Sequence, residues 1–278
     1  MKIFLLVDIC KDIWDGYDYV PDVIEKWLQE ENCMNYGTFK DELKTEMVGF
    51  GRVKLYNNDI AWLEGGRIKV SYQRQGIGRK QMGYAIDYAY KVNAKVAQFD
   101  TSSKNYGSIS LAEYYGFKRK KSMNVLDADR SEINLIETKN HEIKIISPDE
   151  AKEAYKNFDI GPGNEICMGW SYFPLNKISD EHGKWYLSNS DVILQKIDIK
   201  TTPNTESPRE DEVWIIIYGD PQKAYDSIQF ILQEELKNEK NKHFEVFCSL
   251  ETANLVEKLG FSYYEGEPFG VVLFEKDM

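Results

Sequence analysis

The chain has 278 residues, of which 42% are hydrophobic and 13% aromatic, enough for two packed cores. Residues 1–140 carry 21 basic and 20 acidic side chains, whereas residues 141–278 carry 14 and 26, so the net charge of −11 belongs to the second half. Such an acidic surface argues against a nucleic-acid partner. The longest apolar runs, such as Ile3–Val7 and Trp214–Tyr218, are too short to span a membrane.

The first residues, Met1–Asp8, are expected to form a strand, because their apolar run is too brief for a signal peptide and lacks a small-residue cleavage site. The four cysteines lie far apart, without a Cys-x-x-Cys pair or histidines at ligand spacing. They are therefore interpreted as reduced, buried thiols of a cytoplasmic protein, and no metal site is expected.

A helix over Asp22–Gln29 is expected next, with the aspartate as its N-cap. Three antiparallel strands should follow, at Tyr36–Phe39, Met47–Tyr56 and Ile60–Val70. The segment Asn57-Asn58-Asp59 between the last two has the composition of a hairpin turn.

The most informative stretch is a strand, a glycine loop and a helix between Ile68 and Val92. The loop reads Gln73-Arg74-Gln75-Gly76-Ile77-Gly78, and apolar residues at helical spacing begin behind it. This order directs backbone amides and the positive end of a helix at one point, where a pyrophosphate can bind. The alternative is a plain tight turn. Neither the G-x-x-x-x-G-K-[ST] nor the G-x-G-x-x-G phosphate motif occurs here.

The loop is similar to the [QR]-x-x-G-x-[GA] signature of the GNAT superfamily of acetyl-CoA-dependent N-acetyltransferases. The likeness continues on both sides of it. Trp62–Ile68 resembles the family's fourth strand with its acidic residue, and Ala94–Thr101 resembles the fifth. Asn105 then opens a helix that ends in Gly116-Phe117, as in the family. The resemblance covers about residues 48–119.

This resemblance implies an α/β (α+β) fold with a mixed, mostly antiparallel sheet flanked by helices. It also implies acetyl-CoA as the cofactor. The cofactor-binding residues that it indicates lie on the fourth strand, in the glycine loop and at the following helix, and they are Gly66, Arg67, Ile68, Arg74, Gln75, Gly76, Ile77, Gly78, Arg79 and Asn105.

Two residues are candidates for acid–base catalysis. Glu64 is expected to share one strand face with Trp62, Gly66 and Ile68, and this apolar setting would raise its pKa and suit it as the base that deprotonates the amine. The alternative is a salt-bridged or solvent-facing glutamate. The family's acid is a tyrosine seven residues after the helix asparagine, but that position is Ala112 here. Tyr115, or water, is expected to replace it.

The resemblance also suggests the acceptor side of the site. Tyr17, Asp18 and Tyr19 fall in the region that usually forms one wall of the acceptor cleft. In an aromatic stretch of the second half, Trp170 is a further candidate to close over the acceptor. For the first three the alternative is a place in the core, and for Trp170 a packed seam between domains.

An internal repeat is predicted from the second half, because Glu257-Lys258-Leu259-Gly260-Phe261 parallels Glu113-Tyr114-Tyr115-Gly116-Phe117. The expected domains are a catalytic GNAT domain at 1–139 and a degenerate GNAT-like domain at 140–278. The loop Gly219-Asp220-Pro221-Gln222 lacks the glycine pair, so the second domain is not expected to bind acetyl-CoA.

The sequence therefore predicts acetyl transfer to a primary amine of a small molecule or amino acid, by direct attack in a ternary complex. A protein acceptor is one alternative, and a non-catalytic acyl-CoA sensor or structural protein is another. A homodimer is possible, and no membrane or nucleic-acid partner is expected.

Overall fold

The structure is a computed structural model that describes residues 3–16, 18–136, 142–156, 164–188, 192–198 and 211–278. The chain divides into two compact units. Unit 1 comprises Met1–Asp100, Asn105–Arg119 and Leu273–Met278, and unit 2 comprises Thr101–Lys104 and Lys120–Val272. The expected boundary at 139/140 lies outside the described residues. No described helix has the length and apolar character needed to cross a membrane.

Unit 1 is a sheet with helices on both faces. Its elements are α1 (Ile3–Cys10), α2 (Val20–Trp27), β1 (Cys33–Phe39), β2 (Met47–Tyr56), β3 (Ile60–Ile68), α3 (Ile77–Lys91), β4 (Val96–Ser102) and α4 (Tyr106–Tyr114). Strands β1, β2 and β3 are antiparallel, and β4 joins β3 in parallel. Helices α1 and α2 pack on Phe50, and α3 packs on Val53 and Ala61. Because successive side chains of a strand point to opposite faces, this sheet is covered on both sides.

The expected strand over Met1–Asp8 is wrong, because the described part of this segment, from Ile3 onward, lies in helix α1. A short apolar run fits a buried strand and a buried helix equally well. Leu6, Ile9, Cys10 and Ile13 are all buried, at the three- and four-residue spacing of a helix face. The second helix also begins earlier than expected, with Tyr19 rather than Asp22 as the residue before its first turn.

Unit 2 has its own sheet and core. Its elements are β5 (Lys118–Asp129), β6 (Ile143–Ile146), α5 (Pro148–Tyr155), β7 (Glu165–Cys167), β8 (Tyr172–Pro174), β9 (Lys184–Ser188), β10 (Val192–Asp198), β11 (Glu212–Gly219), α6 (Pro221–Glu235), β12 (His243–Cys248), α7 (Leu250–Val256) and β13 (Ser262–Tyr263). The last strand, β14 (Gly270–Asp277), returns to β4 of unit 1 through its final residues. The sheet of unit 2 has the order β5-β12-β11-β10-β9-β6, and only β11 and β12 in it are parallel.

The two units repeat one order of elements. In each, a parallel strand pair is connected by a 15-residue helix, α3 between β3 and β4 and α6 between β11 and β12. A shorter helix follows each pair, α4 in one unit and α7 in the other. The mixed, mostly antiparallel sheet flanked by helices that the sequence predicted is confirmed. All four cysteines are free thiols.

Candidate active site

The start of α3 leaves backbone amides open to a ligand. Gly76 occupies the N-cap position with a left-handed φ of 79°, and no side chain caps the helix. The first amides of a helix have no acceptor inside it. A Cβ added at Gly76 would meet no atom within 4 Å, so open space adjoins these amides. The positive end of a 15-residue helix therefore faces a place where a phosphate can bind.

Side chains of the loop hold its backbone in shape. The Gln73 amide donates to the carbonyl of Ile68 at 3.1 Å, and the Gln75 amide donates to that of Ser71 at 3.2 Å. The Arg79 guanidinium lies 4.1 Å from the centre of the neighbouring Tyr114 ring. Because these side chains are engaged, an anion at this loop would be bound by backbone amides, including those of Gln75 and Arg79.

Strands β3 and β4 diverge in front of this helix. They pair in parallel only from Ile60 to Trp62, although β3 continues to Ile68 and β4 to Ser102. A bulge lies in the diverging part of β3, because the register shifts between Phe50 and Arg52 of the neighbouring β2. A Cβ at Gly66, inside this bulge, would also meet no atom within 4 Å. The divergence thus provides an opening beside β3.

Glu64 lies just before the bulge, on a partly closed face of β3. Its side chain is 21% exposed, and its Oε1 lies 3.3 Å from Nη1 of the fully buried Arg52. Burial raises the pKa of Glu64, and the nearby Arg52 opposes that rise without cancelling it. A carboxylate with a raised pKa can take up a proton more readily than an exposed one.

Arg52 is a residue that the sequence interpretation missed. It also donates to Glu30 and Cys33 and lies 4.7 Å from the centre of the Trp27 ring. These contacts fix the cation that faces Glu64. In the sequence, only the position of Arg52 on the strand before Glu64 could have indicated this contact. The cross-strand register that pairs Arg52 with Glu64 is a property of the folded sheet.

The bulge changes which residues share a face with Glu64. Strict alternation along β3 would place Gly66 and Ile68 on the same face as Glu64. In the structure, however, Arg67 pairs with Phe50, and Glu64 pairs with Arg52. Since Phe50 and Arg52 share a face of β2, Arg67 rather than Ile68 lies on the same face as Glu64. The alternation inferred from the sequence is therefore wrong after Glu64.

Asp18 forms a buried ion pair with Arg67. Both Asp18 oxygens accept from the guanidinium, at 2.7 and 2.9 Å, and the two side chains are 1% and 9% exposed. Trp14 and Tyr19 flank the cation, with ring centres 4.5 and 5.3 Å from it. Asp18 and Tyr19 therefore hold Arg67 in place. Because both Asp18 oxygens bind Arg67, the arrangement does not support Asp18 as a ligand for the acceptor.

We expect Asp18→Asn to lower the free energy of unfolding by about 3–5 kcal/mol, because it leaves the buried Arg67 charge without a counterion. Urea unfolding followed by fluorescence measures this change. The exposed Asp22, in the first turn of α2, provides the control, and Asp22→Asn should change stability by less than about 0.5 kcal/mol. Equal stabilities of the two variants would contradict a structural role for Asp18.

Asn105 and Tyr115 both have structural contacts. The Asn105 side chain caps α4 by accepting from the amide of Ser108 at 3.2 Å. Helix α4 ends before Tyr115, whose hydroxyl donates to the carbonyl of Arg79 at 2.7 Å. Ala112 is fully buried. Because the Tyr115 proton is engaged with Arg79, this geometry gives no support to Tyr115 as the acid, which stays a prediction, as does the Asn105 contact to the cofactor.

The two remaining acceptor-side residues are Tyr17 and Trp170. Tyr17 is outside the described residues. Trp170 belongs to unit 2, where its Nε1 donates to Glu245 at 2.7 Å and its ring contacts Phe247, Tyr264 and Phe269. These contacts all lie within unit 2, and a role for Trp170 in acceptor binding stays a prediction.

Comparison with known proteins agrees with this geometry. Residues 6–117 match the model of the Acetyltransferase (GNAT) family. No curated protein matches the sequence of the chain significantly.

Solved structures share the fold over nearly the whole chain. A GCN5-related N-acetyltransferase from Sphaerobacter thermophilus matches with a TM-score of 0.57 and 12% identity, covering 99% of this chain and 91% of its own. A protein from Pyrococcus horikoshii that is described as an acetyltransferase matches with a TM-score of 0.60 and 15% identity, covering 99% of this chain and 86% of its own. The glucosamine N-acetyltransferase region of a fungal multi-domain β-N-acetylglucosaminidase matches with a TM-score of 0.66 and 12% identity. The match covers 98% of this chain but 36% of that one.

The family match falls on the segment that contains the open α3 amides, the diverging strands and Glu64. The structural matches show that the fold of such proteins extends beyond this segment. Residues 6–117 therefore constitute a GNAT acetyltransferase domain, of the kind that acylates amines with acetyl-CoA as the donor.

Proposed function

We propose that the protein transfers an acetyl group from acetyl-CoA to a primary amine of a small molecule or amino acid, in one complex that holds both reactants. The observation that carries this proposal is Glu64, a carboxylate with a raised pKa next to the opening between β3 and β4. Acetyl-CoA would supply the acetyl group as an activated thioester. The uncapped α3 amides and the space at Gly76 fit its diphosphate.

In this mechanism, different residues of unit 1 would bind the donor, deprotonate the amine and stabilise the developing charge. The amides of residues 76–79 would bind the diphosphate and fix the position of the donor. Glu64, directly or through water, would remove the proton that keeps the amine from attacking. Backbone amides between Gly66 and Ile68 would donate to the carbonyl oxygen as negative charge develops on it. Arg52 would keep Glu64 oriented toward the opening.

Unit 2 is proposed to be a degenerate copy that supports the catalytic unit. Helix α6 takes the place of α3 in the repeated order, but its N-terminus is already satisfied. Asp220 accepts hydrogen bonds from the amides of Gln222 and Lys223, at 3.1 and 3.0 Å, and Pro221 has no amide hydrogen. A carboxylate at this position would also repel a phosphate, which argues against a second acetyl-CoA site.

Release of free CoA thiol, measured with the wild-type protein against a panel of amino acids, polyamines, amino sugars and peptides, tests the proposed function. We expect acetyl-CoA turnover to depend on at least one small amine. Turnover with peptides alone would favour the protein acceptor. Acetyl-CoA binding by calorimetry without turnover of any amine would favour the sensor, to which the missing tyrosine at Ala112 points.

A further inference from the structure

Unit 2 contains a buried cluster of side chains that can bind a metal. Parallel strands β11 and β12 place Glu212 beside His243, and Glu245 follows two residues later on the same face of β12. One potential ligand atom from each of the three lies within 4.8 Å of the others. The residues are 4%, 4% and 2% exposed, which is uncommon for two glutamates and a histidine.

His243 has the geometry of a metal-binding histidine. Its Nδ1 lies 2.9 Å from Oδ1 of Asp129, the residue opposite it on β5. This contact favours the tautomer that carries its proton on Nδ1 and leaves a lone pair on Nε2. Histidines that bind metals typically donate their other ring nitrogen to a carboxylate in this way.

The second ring nitrogen of His243 points into the cluster without a hydrogen-bond partner. Nε2 is buried and lies 3.8 Å from Oε1 of Glu212 and 3.9 Å from Oδ2 of Asp127. Both distances exceed those of hydrogen bonds. An ion between these groups would contact all three.

The surroundings position one of the carboxylates. Glu245 accepts from Nε1 of Trp170 at 2.7 Å, and the Trp170 ring packs on Phe247. The contact with Trp170 therefore fixes the orientation of Glu245 in the cluster.

We propose that Glu212, His243 and Glu245 bind a divalent transition-metal ion of the zinc type, with Asp127 available as a fourth ligand. A set of one imidazole and several carboxylates suits zinc better than calcium or magnesium, which prefer oxygen alone. The ion would connect β11, β12 and β5. Its role would be structural, in the unit proposed not to bind acetyl-CoA.

The test is metal binding by the full-length protein after treatment with a chelator. We expect wild type to bind about one zinc ion per chain in competition with a chromogenic chelator, and to unfold at a higher temperature with zinc than without. His243→Ala should weaken binding at least 100-fold. Asp129→Asn, at a side chain that is 66% exposed and therefore safe for folding, should weaken it about 10- to 100-fold through the orientation of His243.

His182 provides the matched control, because its Nδ1 contacts Ser179 outside the cluster. His182→Ala should bind zinc as wild type does. Equal zinc affinity of wild type, His243→Ala and Asp129→Asn would overturn the proposal, and so would the absence of binding by wild type. Neither readout involves acetyl transfer, so the outcome is independent of the proposed function.

Discussion

Replacing Glu64 by glutamine is expected to lower kcat about 10²- to 10⁴-fold while leaving the affinity for acetyl-CoA within a few-fold of wild type. Glutamine preserves the size of the side chain but cannot take a proton from the amine. The α3 amides, which would hold the donor, do not contact this residue. Steady-state kinetics with the best amine and calorimetry with acetyl-CoA measure the two effects separately.

The pH profile of kcat/KM adds a second readout for Glu64. Because burial raises its pKa, the active carboxylate form is lost at a higher pH than for an exposed glutamate, and activity falls as pH decreases through that raised value. This acidic limb should disappear in Glu64→Gln. Glu25, exposed on α2, provides the control, and Glu25→Gln should retain both rate and profile. If the Glu64→Gln variant has the kcat of wild type, Glu64 is not the catalytic base.

Gly76→Asp is expected to weaken acetyl-CoA binding at least 100-fold. The new carboxylate would enter the open space at the start of α3 and repel the diphosphate where the amides should attract it. The protein should still fold, because a Cβ at this position meets no atom within 4 Å and an acidic side chain at a helix N-terminus is favourable. Calorimetry with acetyl-CoA measures the loss.

Gly76→Asn separates charge from shape. Asparagine has nearly the same size as aspartate, tolerates the left-handed φ of 79° and carries no charge. We expect it to bind acetyl-CoA within about 10-fold of wild type. If the aspartate and asparagine variants bind equally, repulsion of a phosphate is not the cause and the loop does not have the proposed role.

Elements formed by neighbouring residues were the easiest to predict from the sequence. The asparagine-rich turn at 57–59 was predicted correctly because it depends on contacts within a few residues, and the cap that the structure shows at Asn105 is equally local. The capping box of Ser147 and Glu150 at the start of α5 has the same local origin. Helix α1 was missed because its short apolar run fits a strand and a helix equally well.

The sequence by itself determined the glycine loop, the helix behind it and the resemblance to the GNAT family, because these depend on residue order along one short stretch. Only the tertiary structure revealed the pairs Arg52–Glu64 and Arg67–Asp18, the latter 49 residues apart, and the cluster of Glu212, His243 and Glu245. Each depends on strand register, bulges or helix docking, which bring distant residues together. Linear spacing, which gave no reason to expect a metal site, cannot encode that proximity.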